Sequence, residues 1–218
     1  MREITKVLRR SRGRPQIRPD SETLLLIFEA AREEFSARGF AGTSMNAVAQ
    51  RAGISTKTLY RLIPTKAELF RSIVADRIGR FMLAFDGEAL DRLPLAEGLE
   101  RMMRAYGELT LGADTVAITH LVLSECQRFP ELAATFYEVA ILQTSEAMAA
   151  WLARQCARGL IKLDDPNLAA GMLRGMMTME PQRAIMLRQR ATPAAAELAD
   201  RAKYCARLFL DGCGMAHR

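Results

Sequence analysis

Residues able to carry covalent or acid–base chemistry are scarce in this sequence. Its histidines are His120 and His217, and its four cysteines, Cys126, Cys156, Cys205 and Cys213, stand far apart at no metal-ligand spacing. Asp164 and Asp165 are adjacent carboxylates without a third partner, and Asp165 before Pro166 reads as a helix cap. The chain is therefore expected to bind, not to catalyse, and no cofactor or metal is expected. The residues whose types and spacing do fit a task are Thr56, Lys57, Tyr60 and Arg61. On a helix they share one face. That face offers hydroxyl donors and two cations, which suits hydrogen bonding to base edges and phosphate oxygens. Lys57 and Arg61 match the acceptors of guanine.

Such a face must be held out toward its partner, and the neighbouring residues are suited to that. Ser44 to Ala52 reads as a helix, with Thr43 or Ser44 as N-cap and Val48, Ala49 and Ala52 on one side. Gly53 permits a sharp turn, and Ile54 is an apolar plug. Ser55 caps a second short helix, Thr56 to Ile63, whose Leu59 and Ile63 point inward. Before this pair, Asp20 or Ser21 is expected to cap a helix with a buried stripe of Leu24, Ile27, Phe28, Ala31 and Phe35, stopped by Gly39. After it, Thr65 and Glu68 form a capping box for a fourth helix that carries Leu69, Phe70, Ile73, Val74 and Ile78 to Phe81. Lys66 in that helix's first turn opposes the dipole, which becomes favourable with a phosphate at the helix end.

The run Gly39-Phe40, Thr43-Ser44, Val48-Ala49, Ala52-Gly53-Ile54-Ser55, Thr58-Leu59-Tyr60 and Lys66-Ala67-Glu68-Leu69-Phe70 resembles the TetR family of bacterial transcriptional regulators. Lys57, Arg61, Leu62 and Ile63 depart from the usual pattern, where glycine, an aromatic, histidine and phenylalanine are common. These departures bear on the DNA sequence read, not on the binding mode. The resemblance implies an all-α fold: an N-terminal three-helix helix-turn-helix DNA-binding domain and a C-terminal helical domain for ligand binding and dimerisation. In that reading Thr56, Lys57 and Arg61 face bases. Thr43, Ser44, Ser55, Tyr60 and Lys66 hold phosphates, and the expected lysine–phosphate contact draws on the resemblance. The expected boundaries are a basic arm at 1–19, the helix-turn-helix at 20–66, a linking helix at 67–85 and the second domain at 86–218.

Charge points the same way. The net charge is +6, and residues 1–71 hold 14 Lys+Arg against 7 Asp+Glu, so the excess lies wholly in the N-terminal third. A basic end on a near-neutral body is an electrostatic footprint of nucleic-acid binding. Within the arm, Arg12-Gly13-Arg14-Pro15 looks like an AT-hook, with Arg12 and Arg14 as minor-groove residues; nonspecific phosphate attraction is an equal alternative. No apolar run is long enough for a membrane span, and the N-terminus lacks a signal-peptide core, so a reducing cytoplasm is expected.

From Asp86 onward the period is helical, with breaks at Gly112, Phe129-Pro130, Gly159 and Asp165-Pro166, and a surface connection expected over Glu180–Thr192. The Glu125-Cys126-Gln127-Arg128-Phe129-Pro130-Glu131-Leu132 run is similar to one in the multidrug-efflux and stress-response branch of TetR repressors. A small hydrophobic or amphipathic effector is expected in a pocket lined by Phe81, Met102, Met103, Tyr106, His120, Phe136, Met148, Trp151 and Met172, although Met and aromatic residues at helical spacing are more often core. A homodimer face is expected from Leu168, Met172, Met176 and Met179, joined by Leu198, Ala202, Cys205 and Phe209. The function expected is a repressor released from a palindromic operator by its effector. An activator, or an architectural DNA-binding protein without an effector, is the alternative.

Overall fold

The computed structural model describes residues 18–213. The arm arginines Arg12 and Arg14, and His217, lie outside the described residues. Within them there are helices and no strand. A three-helix head, α1 (Asp20–Gly42), α2 (Met45–Arg51) and α3 (Thr56–Leu62), is followed by α4 (Lys66–Ala84). The body comprises α5 (Gly87–Asp91), α6 (Leu95–Leu111), α7 (Ala113–Glu125), α8 (Pro130–Phe136), a π-helical stretch at Tyr137–Leu142, α9 (Gln143–Ala157), α10 (Pro166–Met186) and α11 (Ala195–Cys213). The fold is all-α, with a helix-turn-helix head and a helical body, as expected.

The head is built on the buried stripe of α1. Ile27, Ala31 and Phe35 meet Val48 and Ala49 of α2, Leu59 of α3 and Leu69 and Phe70 of α4 in one apolar cluster. Leu59 and Ile63 are almost wholly buried, and each contributes roughly 1.5–3 kcal/mol of burial free energy. Capping is local. Ser44 accepts from the Ala47 amide, Ser55 from the Thr58 amide and Thr65 from the Glu68 amide. The start of α1 differs from the expectation. Pro19 is its N-cap, with no side-chain bond, and the Thr23 hydroxyl donates to the Pro19 carbonyl. Asp20 and Ser21 already lie in the first turn, which frees Asp20 for another partner.

In the body, α6 lies along α11 and α10, and α10 also packs on α9. Trp151, Leu99, Met102 and Met103 fill the centre. The expected connection over Glu180–Thr192 is mostly helix: α10 continues to Met186 with Pro181 buried inside it. Proline forfeits one amide donor, but α10 packs on α6, α7, α9 and α11, which hold the helix in place. The second half of the expected dimer face is also corrected. Leu198, Ala202, Cys205 and Phe209 are all buried within the single chain, on the side of α11 that meets α6. Burial raises the Cys205 thiol pKa, against the opposing charge of Arg201. By contrast Leu168, Met172 and Met179 on α10, and Tyr204 and Leu208 on α11, are exposed.

Candidate nucleic-acid interface and internal cavity

The turn between α2 and α3 depends on one residue. Gly53 has φ +66°, and the Ile54 amide donates back to the Ala49 carbonyl at 3.0 Å. That left-handed step is nearly free for glycine and costly for most other residues. It swings α3 so that Leu59 packs inward while Thr56, Lys57, Tyr60 and Arg61 face outward. Tyr60 is 48% exposed, a large aromatic left uncovered at the expected contact face. Arg51 lies on the other side and is spent internally: it donates to Glu34 at 2.8 Å and Glu33 at 2.6 Å, tying α2 to α1.

Several expected contact residues have partners inside the chain. The Arg61 guanidinium makes two bonds to Asp20, at 2.6 and 3.0 Å. That hydrogen bonding holds the Asp20 carboxyl below, and the Arg61 guanidinium above, their usual pKa values. Thr43 is buried, and its hydroxyl donates to the Gly39 carbonyl at 2.8 Å, so it is an internal cap with no free hydroxyl hydrogen for a phosphate. Ser44 and Ser55 accept from helix amides but stay exposed.

Lys66 departs most from its sequence reading. Its ammonium donates to the Phe40 carbonyl at 2.5 Å and the Thr43 carbonyl at 2.9 Å, and lies 4.5 Å from the centre of the Phe40 ring. It therefore binds the carbonyls where α1 ends. Desolvation pushes the ammonium pKa down, with Glu125 opposing. The cation that looked misplaced beside the α4 dipole is accounted for by these carbonyls.

The same junction receives the body. Gly39 leaves helical geometry at φ +69°, and the amides that follow, Phe40 and Ala41, donate to the Glu125 carboxylate at 2.6 and 3.2 Å. A Cβ on Gly39 would lie 2.5 Å from that carboxylate. Phe40 packs edge-on to Phe129 at 5.0 Å and to Phe70 at 6.3 Å. Glu125 is the last residue of α7, so one end of α7 grips the head.

The other end of α7 lines a cavity of about 320 Å³. Its wall is made by Val74, Arg77 and Ile78 of α4, Tyr106, Leu109 and Thr110 of α6, and Thr115, Ile118 and Thr119 of α7. Phe136, Ala140, Ile141 and Thr144 of the α8–α9 segment and Gly171, Arg174, Gly175, Thr178, Met179 and Gln182 of α10 complete it. Arg77 ties α4 to α7, donating to Asp114 and to the Thr115 hydroxyl, each at 2.9 Å. A separate cleft of about 470 Å³ lies between parts of α1, α2, α4 and α7, and Ile118 lines both spaces.

Of the pocket residues expected, Tyr106 and Phe136 line the cavity. Phe81, Met102, Met103, Met148 and Trp151 are packed core outside it. His120 is exposed on α7, and Met172 is 59% exposed on α10. Arg77, Arg174 and the threonines were missed. Their signal was present: Arg174 is a lone charge in an otherwise apolar run of α10, and Thr115 and Thr119 are one turn apart. Among the described residues no group of His, Cys, Asp or Glu could hold a metal ion.

The comparisons with known proteins agree with this architecture. Residues 27–73 match the model of the bacterial regulatory proteins of the tetR family, and residues 97–212 match the C-terminal domain of AefR-like transcriptional repressors. The chain belongs to the TetR family. It is a TetR-type transcriptional regulator with a DNA-binding helix-turn-helix. A protein of Mesorhizobium loti MAFF303099 assigned to the same family is similar at 25% identity, covering 91% of this chain and 100% of its own, with a TM-score of 0.77. The flavonoid-responsive regulator FrrA shares 27% identity over 91% of this chain and 100% of its own, with a TM-score of 0.66. FadR from Bacillus subtilis, in complex with stearoyl-CoA, has the same fold at 21% identity, covering 86% of this chain and 98% of its own, with a TM-score of 0.69. A search of curated proteins finds no match. TetR-family regulators bind DNA and small effectors and dimerise. No described helix of this member is long and apolar enough to cross a membrane.

Proposed function

We propose that this chain is an effector-responsive repressor and not an enzyme. Its dimer reads a palindromic duplex and lets go when the cavity is filled. One observation carries the reading: α7 lines the cavity with Thr115, Ile118 and Thr119 and grips the head through Glu125. A ligand that displaces α7 must therefore strain or release the α1–α2 junction. This supports linkage between two sites, in which effector and DNA weaken each other equally.

At the DNA, Thr56 and Lys57 take the base edges, with Arg61 joining once it leaves Asp20. Ser44, Ser55 and Tyr60 take phosphates. Lys66 acts by holding the α1–α2 junction rather than by binding phosphate. Two copies meet through the uncovered faces of α10 and α11, with Leu168, Met172 and Met179 beside Tyr204 and Leu208, and with Met176 half-buried at the edge of that face. This pairing sets the two α3 helices in major grooves one helical turn or more apart. FrrA, named as flavonoid-responsive and 27% identical, supports an effector with a large apolar part.

Selection from random duplexes tests the DNA half, and a palindrome with two half-sites is the expected product. A thermal-shift screen with hydrophobic compounds tests the other half, since a ligand of the folded state raises the melting temperature. Hits should lower affinity for the selected duplex. Compounds that stabilise the protein and leave DNA affinity unchanged would refute the coupling.

A further inference from the structure

Resting on the reading of the cavity as the effector site, we propose that its ligand is an amphipathic monoanion, with Arg174 as the residue that holds the anionic head. No aspartate or glutamate lines the cavity, whereas two arginines do. They are not equivalent. Arg77 is neutralised by Asp114 at 2.9 Å. Arg174 makes no ion pair among the described residues. It donates one bond, from Nε to the Tyr106 hydroxyl at 3.2 Å, and its guanidinium lies 5.8 Å from the centre of that ring. A half-buried guanidinium with unmatched donors against an apolar wall is an anion site in waiting.

The surroundings give the rest of the ligand its character. Gly171 and Gly175 flank Arg174 on the same wall, and a Cβ on either would meet nothing within 4 Å, which leaves room beside the guanidinium. Four of the five threonine hydroxyls that line the cavity, all but that of Thr115, do not compete for the anion. Those of Thr110 and Thr178, for example, donate to carbonyls one turn back at 2.7 and 2.9 Å. The hydrogens of these four are used, so they repel a carboxylate rather than bind it; the Thr115 hydroxyl sits against Arg77, whose charge Asp114 already matches, and the head is directed to Arg174. Apart from Arg77 and Gln182, the remaining wall is aliphatic and aromatic and suits an apolar tail. A charge-assisted bond of this kind changes affinity by roughly tenfold to a hundredfold.

Three probes that share a tail and differ in the head test this: decanoate, decanol and decylammonium, each below its aggregation concentration. Calorimetry on the full-length protein should rank decanoate at least about tenfold tighter than decanol, with decylammonium weakest. In Arg174→Gln the preference for decanoate over decanol should vanish, while decanol still binds, which shows an intact cavity. Arg174→Lys should restore some of the preference. If decanol equals decanoate, or decanoate binds the Gln variant as well as the parent, the anion assignment is overturned and the cavity remains an effector site. If none of the three binds, both the anion assignment and the effector cavity are overturned.

Discussion

The Glu125 carboxylate accepts the Phe40 amide at 2.6 Å, a bond between residues 85 positions apart that joins the last turn of α7 to the kink after Gly39. It is the shortest of the described hydrogen bonds between α7 and the head. Glu125→Gln keeps the shape but removes the charge from the acceptor. We expect effector binding to persist while effector-driven DNA release shrinks about tenfold, within the usual range of coupling energies. Anisotropy titrations of a labelled duplex, with and without effector, read this directly. Undiminished release would take Glu125 out of the transmission path.

Lys66 is bonded to the Phe40 and Thr43 carbonyls, which leads to a result opposite to that of a phosphate contact. Lys66→Met should destabilise the protein by roughly 1–3 kcal/mol, because buried carbonyls lose a charged donor. The salt dependence of DNA binding should stay as it is. Lys57→Ala should do the reverse, altering base preference or salt slope with little change in melting temperature. A flattened salt slope in Lys66→Met would restore the phosphate role.

The Arg61 guanidinium is paired with Asp20 through both terminal nitrogens, so in the proposed reading that pair competes with a base edge. Asp20→Asn should therefore tighten DNA binding several-fold and sharpen the preference for guanine at one position, as seen by repeating the duplex selection. The pair also has a defined pH response. Arg61 holds the Asp20 carboxyl below its ordinary pKa, so the pair's stabilisation is present above the ordinary carboxylate range and is lost as pH falls through the lowered value. Both partners are exposed and the effect is screened. DNA affinity should accordingly show no titration from Asp20 between pH 5 and 8.

The two sides of the C-terminal helices should respond differently to charge. Met172 is 59% exposed, whereas Phe209 is 9% exposed. Met172→Glu should yield folded monomers by sedimentation, with weakened binding to the full palindrome. Phe209→Glu should lower the melting temperature by burying a charge. A Met172→Glu protein that sediments like the parent would exclude this face.

Much of the head is legible in the sequence because its determinants are local. Ser44, Ser55, Thr65 and Gly53 act on backbone groups within five residues, so sequence spacing carries the information. The partners of Arg61, Lys66 and Glu125 lie 41, 26 and 85 positions away, and no local pattern encodes them. The cavity is the least legible region. Helical period identifies the buried face of each helix, as for Met102 and Trp151. It does not tell which buried faces fail to meet. Phe209 and Met172 illustrate the same difficulty, since two apolar faces at equal spacing differ only in whether α6 already covers one of them.

The π-helical stretch at Tyr137–Leu142 brings Ala140 and Ile141 to the cavity wall, and both their carbonyls accept from the Thr144 hydroxyl, at 2.7 and 3.1 Å. A wide turn of this sort holds one residue more than regular winding. Deleting a residue there would let the segment rewind as regular helix without tearing the fold, reshaping the wall at Ala140 and Ile141 while the helices on either flank keep nearly the same facing, because the wide turn absorbs its extra residue locally. If the cavity is the effector site, as proposed, its wall carries an adjustable joint through which one chemical stimulus can be exchanged for another with the DNA-reading end untouched.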